Sequence, residues 1–304
     1  MPDGAMMPDS ATAPGEGPDR EPGLRTGPVL RVLPPVGWVR RVTRTAAASL
    51  GGAGSVHLLE RNARVYRHVW LLFVSGIAEP LFYLLSLGVG LGPLVGHVTG
   101  PGGAAVPYRE FVAPGLLAVS AMNGAVYDST FSVYLKLKYV KIYAAMLAGP
   151  MRPADVALGE IGWALLRGGV YAIAFMTVMA VMGLVQSLWA LLAVPVALLI
   201  GFAFAATGMA CTTFMRSWQD FDYVLLASLP LFLFSTTFYP LSVYPRPLAV
   251  IVECTPLYQG VVMLRGLILG VAGPDLLWRA AYLAAMGLTG LAISGRRIAR
   301  LLLT

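Results

Sequence analysis

From Val69 onward the chain is a series of long apolar runs separated by short polar breaks. Each run is near the roughly 20 residues that an α-helix needs to cross about 30 Å of hydrocarbon. The pattern predicts six membrane-spanning helices: Val69 to Leu91, Phe111 to Tyr134, Ile161 to Gly183, Leu188 to Cys211, a short one near Tyr223 to Phe238, and Leu276 to Ile293. The expected fold class is all-α: a polytopic membrane protein with a six-helix transmembrane domain over residues 69–304. Leu248 to Gly270 is apolar too, but Glu253, Pro256, Gln259 and Arg265 interrupt it. That composition suits a re-entrant pair of short helices between spans five and six, since non-helical backbone at membrane depth must be covered by protein. A seventh span is the alternative, and it would put the two basic ends of the chain on opposite sides.

Ahead of the spans, residues 1–35 are rich in Pro, Gly, Asp and Ala without an apolar period. They read as a disordered cytoplasmic tail and lack the basic-then-apolar layout of a signal peptide. Residues 36–68 read as a cytoplasmic interfacial segment. Within it Val56, Leu59, Ala63 and Tyr66 share one helical face, and Arg61, Arg64, Arg67 and His68 the other. Such a helix lies in the headgroup plane; otherwise the segment is a charged flank of the first span.

Composition agrees with this reading. The chain is 57% hydrophobic and 12% charged, against about 25% charged for soluble domains. Its net charge of +7 is not spread evenly. The arginines before span one, then Lys136, Lys138, Lys141 and Arg152, then Arg216, then Arg296, Arg297 and Arg300 all fall on one side of a six-span topology. The other side receives Arg109, Arg246, Arg265 and Arg279. Excess positive charge marks the cytoplasmic face, so both termini are expected in the cytoplasm and the protein in the cell (inner or plasma) membrane. A nucleic-acid binder would cluster its charge on a soluble face instead. Cys211 and Cys254 fall on opposite sides, which forbids a disulfide. His57, His68 and His97 lack metal-ligand spacing.

The three lysines are the only ones in the chain, and none follows a glycine. A phosphate-gripping P-loop needs a Gly-rich run ending in Gly-Lys-Ser/Thr, so this chain has no such motif. No Ser-His-Asp set, Cys-His pair or His-Glu-x-x-His motif points to hydrolysis.

Three groups of residues stand out. Glu79-Pro80 lies near the middle of span one, where an ionisable residue costs on the order of 3 kcal/mol on insertion scales unless it faces protein or water. The proline frees a carbonyl and permits a bend. This is a hinge or a polar point on a transport path, or else a paired structural carboxylate. Asp128 in span two and Arg167 in span three are expected near each other, as an ion pair. The segment Leu135 to Glu160 carries basic residues, a short amphipathic helix with Tyr143, Met146 and Leu147 expected exposed as a knob, and a turn through Gly149-Pro150 with a new helix starting at Asp155. Plain positive-inside anchoring explains its charges but not its apolar patch.

Several runs together resemble a known family. Phe238-Tyr239-Pro240-Leu241, then Pro245, Leu248, Pro256-Leu257, Arg265 and Gly270, are similar to the signature of type-2 ABC exporter permeases. Glu79-Pro80 with Gly88 and Gly90, then Tyr108, Phe111 and Pro114-Gly115, resemble the first-span region of that family. Gly149-Pro150 through Pro153, Asp155 and Gly159-Glu160 resemble its cytoplasmic loop. The subgroup most similar is that of nodulation-factor exporter and daunorubicin-resistance permeases, and the resemblance runs from about Glu60 to Leu302.

The resemblance implies a membrane subunit that binds no cofactor itself, with ATP and Mg on a separate ABC ATPase subunit. It also implies a second permease copy, identical or related, among membrane lipids and without nucleic acid. Lys138, Lys141, Tyr143, Met146, Leu147, Arg152 and Asp155 would couple to the ATPase. Glu79, Pro80, Asp128 and Arg167 would line the path or act as a hinge. Pro240, Pro256 and Arg265 would belong to an extracellular gate. The cargo would be an amphipathic or hydrophobic compound such as a drug, a lipid or a lipid-linked glycan. The alternative function is a polytopic enzyme acting on lipid, which needs Glu79, Asp128, Arg167 and Glu160 to converge at one depth.

Overall fold

The computed structural model describes Leu58, Leu59, Asn62 and residues 71–148 and 152–303. The expected tail over 1–35, most of the interfacial segment and the Gly149-Pro150-Met151 turn lie outside the described residues.

The described chain is almost wholly helical. Helix α1 (Leu71–Tyr83) runs on into a wider, π-type helix (Leu84–Leu91) and a last turn (Gly92–Val95). A small antiparallel hairpin, β1 (His97–Thr99) and β2 (Ala105–Pro107), leads into α2 (Tyr108–Tyr127). This helix continues to Tyr139 through two wide-turn stretches, Asp128–Ser132 and Leu135–Tyr139. Short α3 (Ile142–Leu147) precedes α4 (Pro153–Val181). A 3-10 turn (Leu188–Leu192) opens α5 (Ala193–Thr212), and α6 (Phe221–Phe234) follows. Then come α7 (Arg246–Glu253), α8 (Pro256–Leu269) and the long α9 (Asp275–Leu303).

Local chemistry fixes several of these boundaries. Pro153 sits in the first turn of α4, where its missing N–H loses nothing. The Asp155 carboxylate accepts from the Arg152 N–H at 3.1 Å, so the helix begins two residues before the expected start. Each wide turn displaces a backbone carbonyl from its usual partner. In the first of these stretches the Ser129 carbonyl accepts from the Thr212 hydroxyl of α5 at 3.0 Å.

Helix α5 is the centre of the bundle. Thirteen of its 20 residues are buried, and these are mainly small, among them Ala193, Ala197, Gly201, Ala203, Ala205, Ala206 and Gly208. Small residues let helices approach until backbones touch, which supplies packing in lipid where the hydrophobic effect between helices is absent. Helices α2, α4, α8 and α9 all pack on it. At the closest crossing, a Cβ on Gly290 of α9 would stand 2.7 Å from the backbone of Ala206 and Thr207. Ser294 Oγ donates there to the carbonyls of Gly290 (2.8 Å) and Ala206 (3.3 Å).

Among the described residues, four stretches are each long and apolar enough to cross a membrane: Gly76–Val95, Pro153–Val181, Leu188–Thr212 and Asp275–Leu301. The expected spans two and five differ for physical reasons. Helix α2 opens on Tyr108-Arg109-Glu110, carries Asn123 and is followed at once by Asp128, so this stretch is less apolar, although helix continues to Tyr139. Helix α6 has 14 residues, short of the roughly 20 that a span needs. None of its residues is buried within the chain.

The segment expected to be re-entrant is bent by 82° between α7 and α8. Near the bend, the Cys254 carbonyl accepts from the Tyr282 hydroxyl, two turns into α9, and Gly260 touches Ile200, two turns into α5. Yet α8 ends with the Ile268 carbonyl accepting from Gln186 N–H, before α5 begins. The pair therefore enters the bundle and returns.

Candidate functional site

At the basic end, buried charges from separate helices meet. Asp128 of the wide-turn stretch after α2 and Arg167 of α4 form the expected ion pair at 2.5 Å, and both are buried. About two turns closer to the basic end, Lys136 pairs with Glu160 at 2.6 Å. Asn62, ahead of the first span, donates to the same Glu160 oxygen at 3.4 Å. Leu59 beside it is buried and reaches Gly162 of α4, as its place on the apolar face of the interfacial segment requires. Charges in a membrane interior find partners because an isolated one is costly. Two acids and two bases here tie α2, α4 and the segment before α1 together.

The loop beyond this network differs from expectation. Tyr143 is 1% exposed and part of the core, and Met146 is half-buried against that core. The expected knob of Tyr143 and Met146 is therefore absent; the Leu147 side chain lies outside the described residues. Lys141 explains the change: its left-handed backbone (φ 50°) turns α3 inward, where it packs on α9. The outward tip is instead the preceding turn. Tyr139 is 65% and Val140 60% exposed, and Lys138, Lys141 and Arg152 are exposed with them. The Tyr139 ring lies 6.2 Å from Tyr134 and 6.4 Å from Trp218. Phe131 and Phe221 extend this cluster, which joins the end of α2 to the loop before α6. Asp220 holds that loop in shape. Its carboxylate accepts from the N–H groups of Arg216 (2.6 Å) and Ser217 (3.2 Å), which draws its pKa below the usual carboxylate value.

Glu79 and Pro80 part company. Pro80 is buried, whereas Glu79 is exposed on the outer face of α1. It shares a groove of about 550 Å³ with Ala78, Phe82, Tyr83 and Ser86. At the groove's edge Tyr83 meets Phe232 of α6 edge-on, with ring centroids 6.1 Å apart. The proline leaves the Gly76 carbonyl without its helical donor. At Gly76 the missing side chain makes room for the Tyr171 ring of α4, which a Cβ would meet at 2.6 Å.

At the opposite end, Arg265 of α8 is buried and is held by backbone. Its guanidinium donates to the carbonyls of Phe111 (3.2 Å) and Thr236 (2.7 Å) and lies 3.7 Å from the centre of the Phe111 ring. It is therefore a charge of that side held inside the protein rather than at its surface. It pins the re-entrant helix to α2 and to the break after α6. Pro256 opens α8, and Pro240 precedes a separate turn (Leu241–Val243), so these two expected gate residues stand on different elements. Glu110 and Gln186 also pair at this end.

Residues 56–269 match the family described as ABC-2 type transporter. The chain belongs to this family. It is 32% identical over 222 residues to Nodulation protein J of Rhizobium leguminosarum bv. trifolii, covering 72% of this chain and 83% of that protein. It is 30% identical over 227 residues to the protein of the same name from Rhizobium leguminosarum bv. viciae, with 74% and 86% covered. The corresponding protein of Rhizobium meliloti (strain 1021) is 29% identical over 227 residues, with 74% and 85% covered. The chain is thus a transporter membrane subunit of the ABC-2 family, not an enzyme.

The fold of this ABC-2 family member also decides what the lipid-enzyme alternative would need. Asp128, Arg167 and Glu160 do gather, but each is buried and ion-paired, and Glu79 stands apart on the outer face. Sequence reading missed Thr236, which has a left-handed backbone (φ 59°), and the link from Asn62 through Glu160 to Lys136. A β-branched residue gives no sign of left-handed geometry. The second miss had a signal: a lysine and a glutamate flanking one loop, each at the end of an apolar run.

Proposed function

We propose that this chain is the permease subunit of an exporter driven by a separate ABC ATPase, which carries the ATP and Mg. It crosses the inner or plasma membrane six times, with α2 and α6 as the second and fifth spans and both termini cytoplasmic. Two permeases, identical or related, enclose the path, and the cargo is an amphipathic or hydrophobic drug, lipid or lipid-linked glycan. The ATPase docks on the exposed turn Lys138 to Lys141 and on Arg152. The first turn of α4, capped by Asp155, and the Lys136–Glu160 and Asp128–Arg167 pairs carry its movement into α2 and α4. The re-entrant pair α7–α8, fixed by Arg265, closes the outer end.

Glu79 carries this reading. A carboxylate on the outer face of an apolar helix at mid-span is tolerated only beside water or another polar group. A path between two permeases supplies that surrounding, and plain lipid does not. The proposal is tested by co-expressing the chain with the ATPase and assaying inverted vesicles for ATP-dependent uptake of fluorescent amphipathic compounds. Uptake is expected only with both subunits present, and to fall about tenfold or more when Ser86→Trp fills the groove, the scale of losing well-packed contacts. Uptake by the chain without the ATPase, or full uptake by Ser86→Trp, would sink it. Hydrolysis of a lipid by the purified chain alone would favour the enzyme reading.

A further inference from the structure

The groove beside Glu79 has a chemical character that narrows its ligand, on the reading that it is part of the export path. Glu79, Phe82 and Tyr83 stand at positions i, i+3 and i+4 of one helix, and so share a face. Phe82 is 68% exposed and Tyr83 41%, so their rings are open to whatever occupies the groove. Ala78 and Ser86 also line it, and no basic residue is among its lining in the described residues. The basic groups at membrane depth in the described residues are engaged elsewhere: Arg167 with Asp128, Lys136 with Glu160, and Arg265 with the Phe111 and Thr236 carbonyls.

An anionic oxygen flanked by aromatic faces in an apolar setting favours a cation, through direct charge attraction and through the ring quadrupoles. Symmetry sharpens this. Where two copies face one another across a two-fold axis, the same patch meets itself. Two such grooves on one path bring two carboxylates close together, and their repulsion favours the entry of a positive charge. A neutral protein surface would leave that repulsion uncompensated, so a second copy alone is a poor occupant.

We propose that the Glu79 groove is the recognition site for an amphipathic monocation: a molecule with one positive centre on an aromatic or alkyl body. Glu79 sets the charge preference, and Phe82 and Tyr83 hold the body. A neutral or anionic amphipath of the same size enters the path less readily.

The test uses the permease–ATPase complex in lipid nanodiscs and two probes of similar shape, tetraphenylphosphonium and neutral triphenylphosphine oxide, with binding measured by equilibrium dialysis. The wild-type complex is expected to prefer the cation. Glu79→Gln should reduce the cation-over-neutral ratio by about tenfold, the scale of one lost charge contact. Glu79→Asp, which keeps the charge, should retain most of the ratio and shows that a loss in Glu79→Gln is not misfolding. A wild-type complex without the preference, or a preference that survives Glu79→Gln, overturns the proposal. Ser86→Trp separates that failure from failure of the path itself. If it weakens both probes while Glu79→Gln leaves the ratio intact, the groove is the path and the charge assignment is wrong. If it changes neither probe, the groove is not the path. Exclusion of both probes, with Phe82→Cys copies cross-linking to each other, identifies a second copy as the occupant and also overturns the proposal.

Discussion

Arg265 donates to the carbonyl of Thr236 at 2.7 Å, and Thr236 holds a left-handed backbone that β-branched residues rarely adopt. A residue in that region is strained by about 1–3 kcal/mol. The same conformation ends α6 and turns the chain so that Ser235 and Thr237 bond to each other at 2.8 Å and Thr237 packs on Gly115 of α2. A single buried guanidinium thus holds the strained corner after α6, the first turn of α2 and the re-entrant helix in one arrangement.

Arg265→Met should therefore destabilise the permease by about 2–4 kcal/mol, since two buried carbonyls lose their donor and the ring contact is lost as well. Arg265→Lys should recover only part of this, because a point charge cannot bridge two acceptors as a planar fork does. Thr236→Gly should stay within about 1 kcal/mol of wild type: it relieves the strain and removes a hydroxyl that has no partner among the described residues. Thermal unfolding in nanodiscs reads all three. A stable Arg265→Met would show that the guanidinium is incidental.

The Asp128–Arg167 pair gives a second prediction. Removing one member of a buried pair strands the other charge and costs about 3–5 kcal/mol, whereas removing both often costs little. Asp128→Asn and Arg167→Met should each be strongly destabilising, and the double variant less so than the sum. A double-mutant cycle by thermal unfolding measures the coupling. Additive losses would mean that the two side chains are held by other contacts.

Helix packing supplies a third. Gly290→Ala places a Cβ at 2.7 Å from the backbone of α5, which cannot move aside as a side chain can. It should cost about 1–3 kcal/mol as overpacking. Gly295→Ala, nearly a turn and a half onward and open to space, should be neutral or slightly stabilising. Equal melting temperatures for the two variants would contradict the crossing of α5 and α9.

These residues also mark how much was legible beforehand. The apolar runs gave the helices, and the interruptions at Glu253 and Pro256 gave the bend, because both follow from solvation in lipid alone. The meeting of Asp128 with Arg167 was legible because a buried charge must find a partner. What stayed hidden depends on backbone direction. Lys141 in a left-handed turn sends α3 inward and buries Tyr143, and no periodicity in six residues reports that. Nor does a sequence reveal that Arg265 is satisfied by carbonyls, since every residue offers one.

The inward turn at Lys141 decides where a soluble motor could couple. A charge at Met146 would enter the chain's own core, so Met146→Asp should lower stability, with the hydrolysis and uptake of the surviving protein still linked. Tyr139 and Val140 are exposed, and a charge at either meets no core. Tyr139→Asp and Val140→Asp should therefore leave the melting temperature within the range usual for surface changes, about 0.5 kcal/mol. Each should lower the uptake obtained per ATP hydrolysed by the permease–ATPase complex about tenfold, as expected when a central apolar contact of an interface is lost. Uptake and hydrolysis measured in the same vesicles give that ratio directly. If Met146→Asp lowers the ratio at unchanged stability while Tyr139→Asp does not, the contact lies on α3, and the tip formed by Tyr139 and Val140 is an anchor in the headgroups instead.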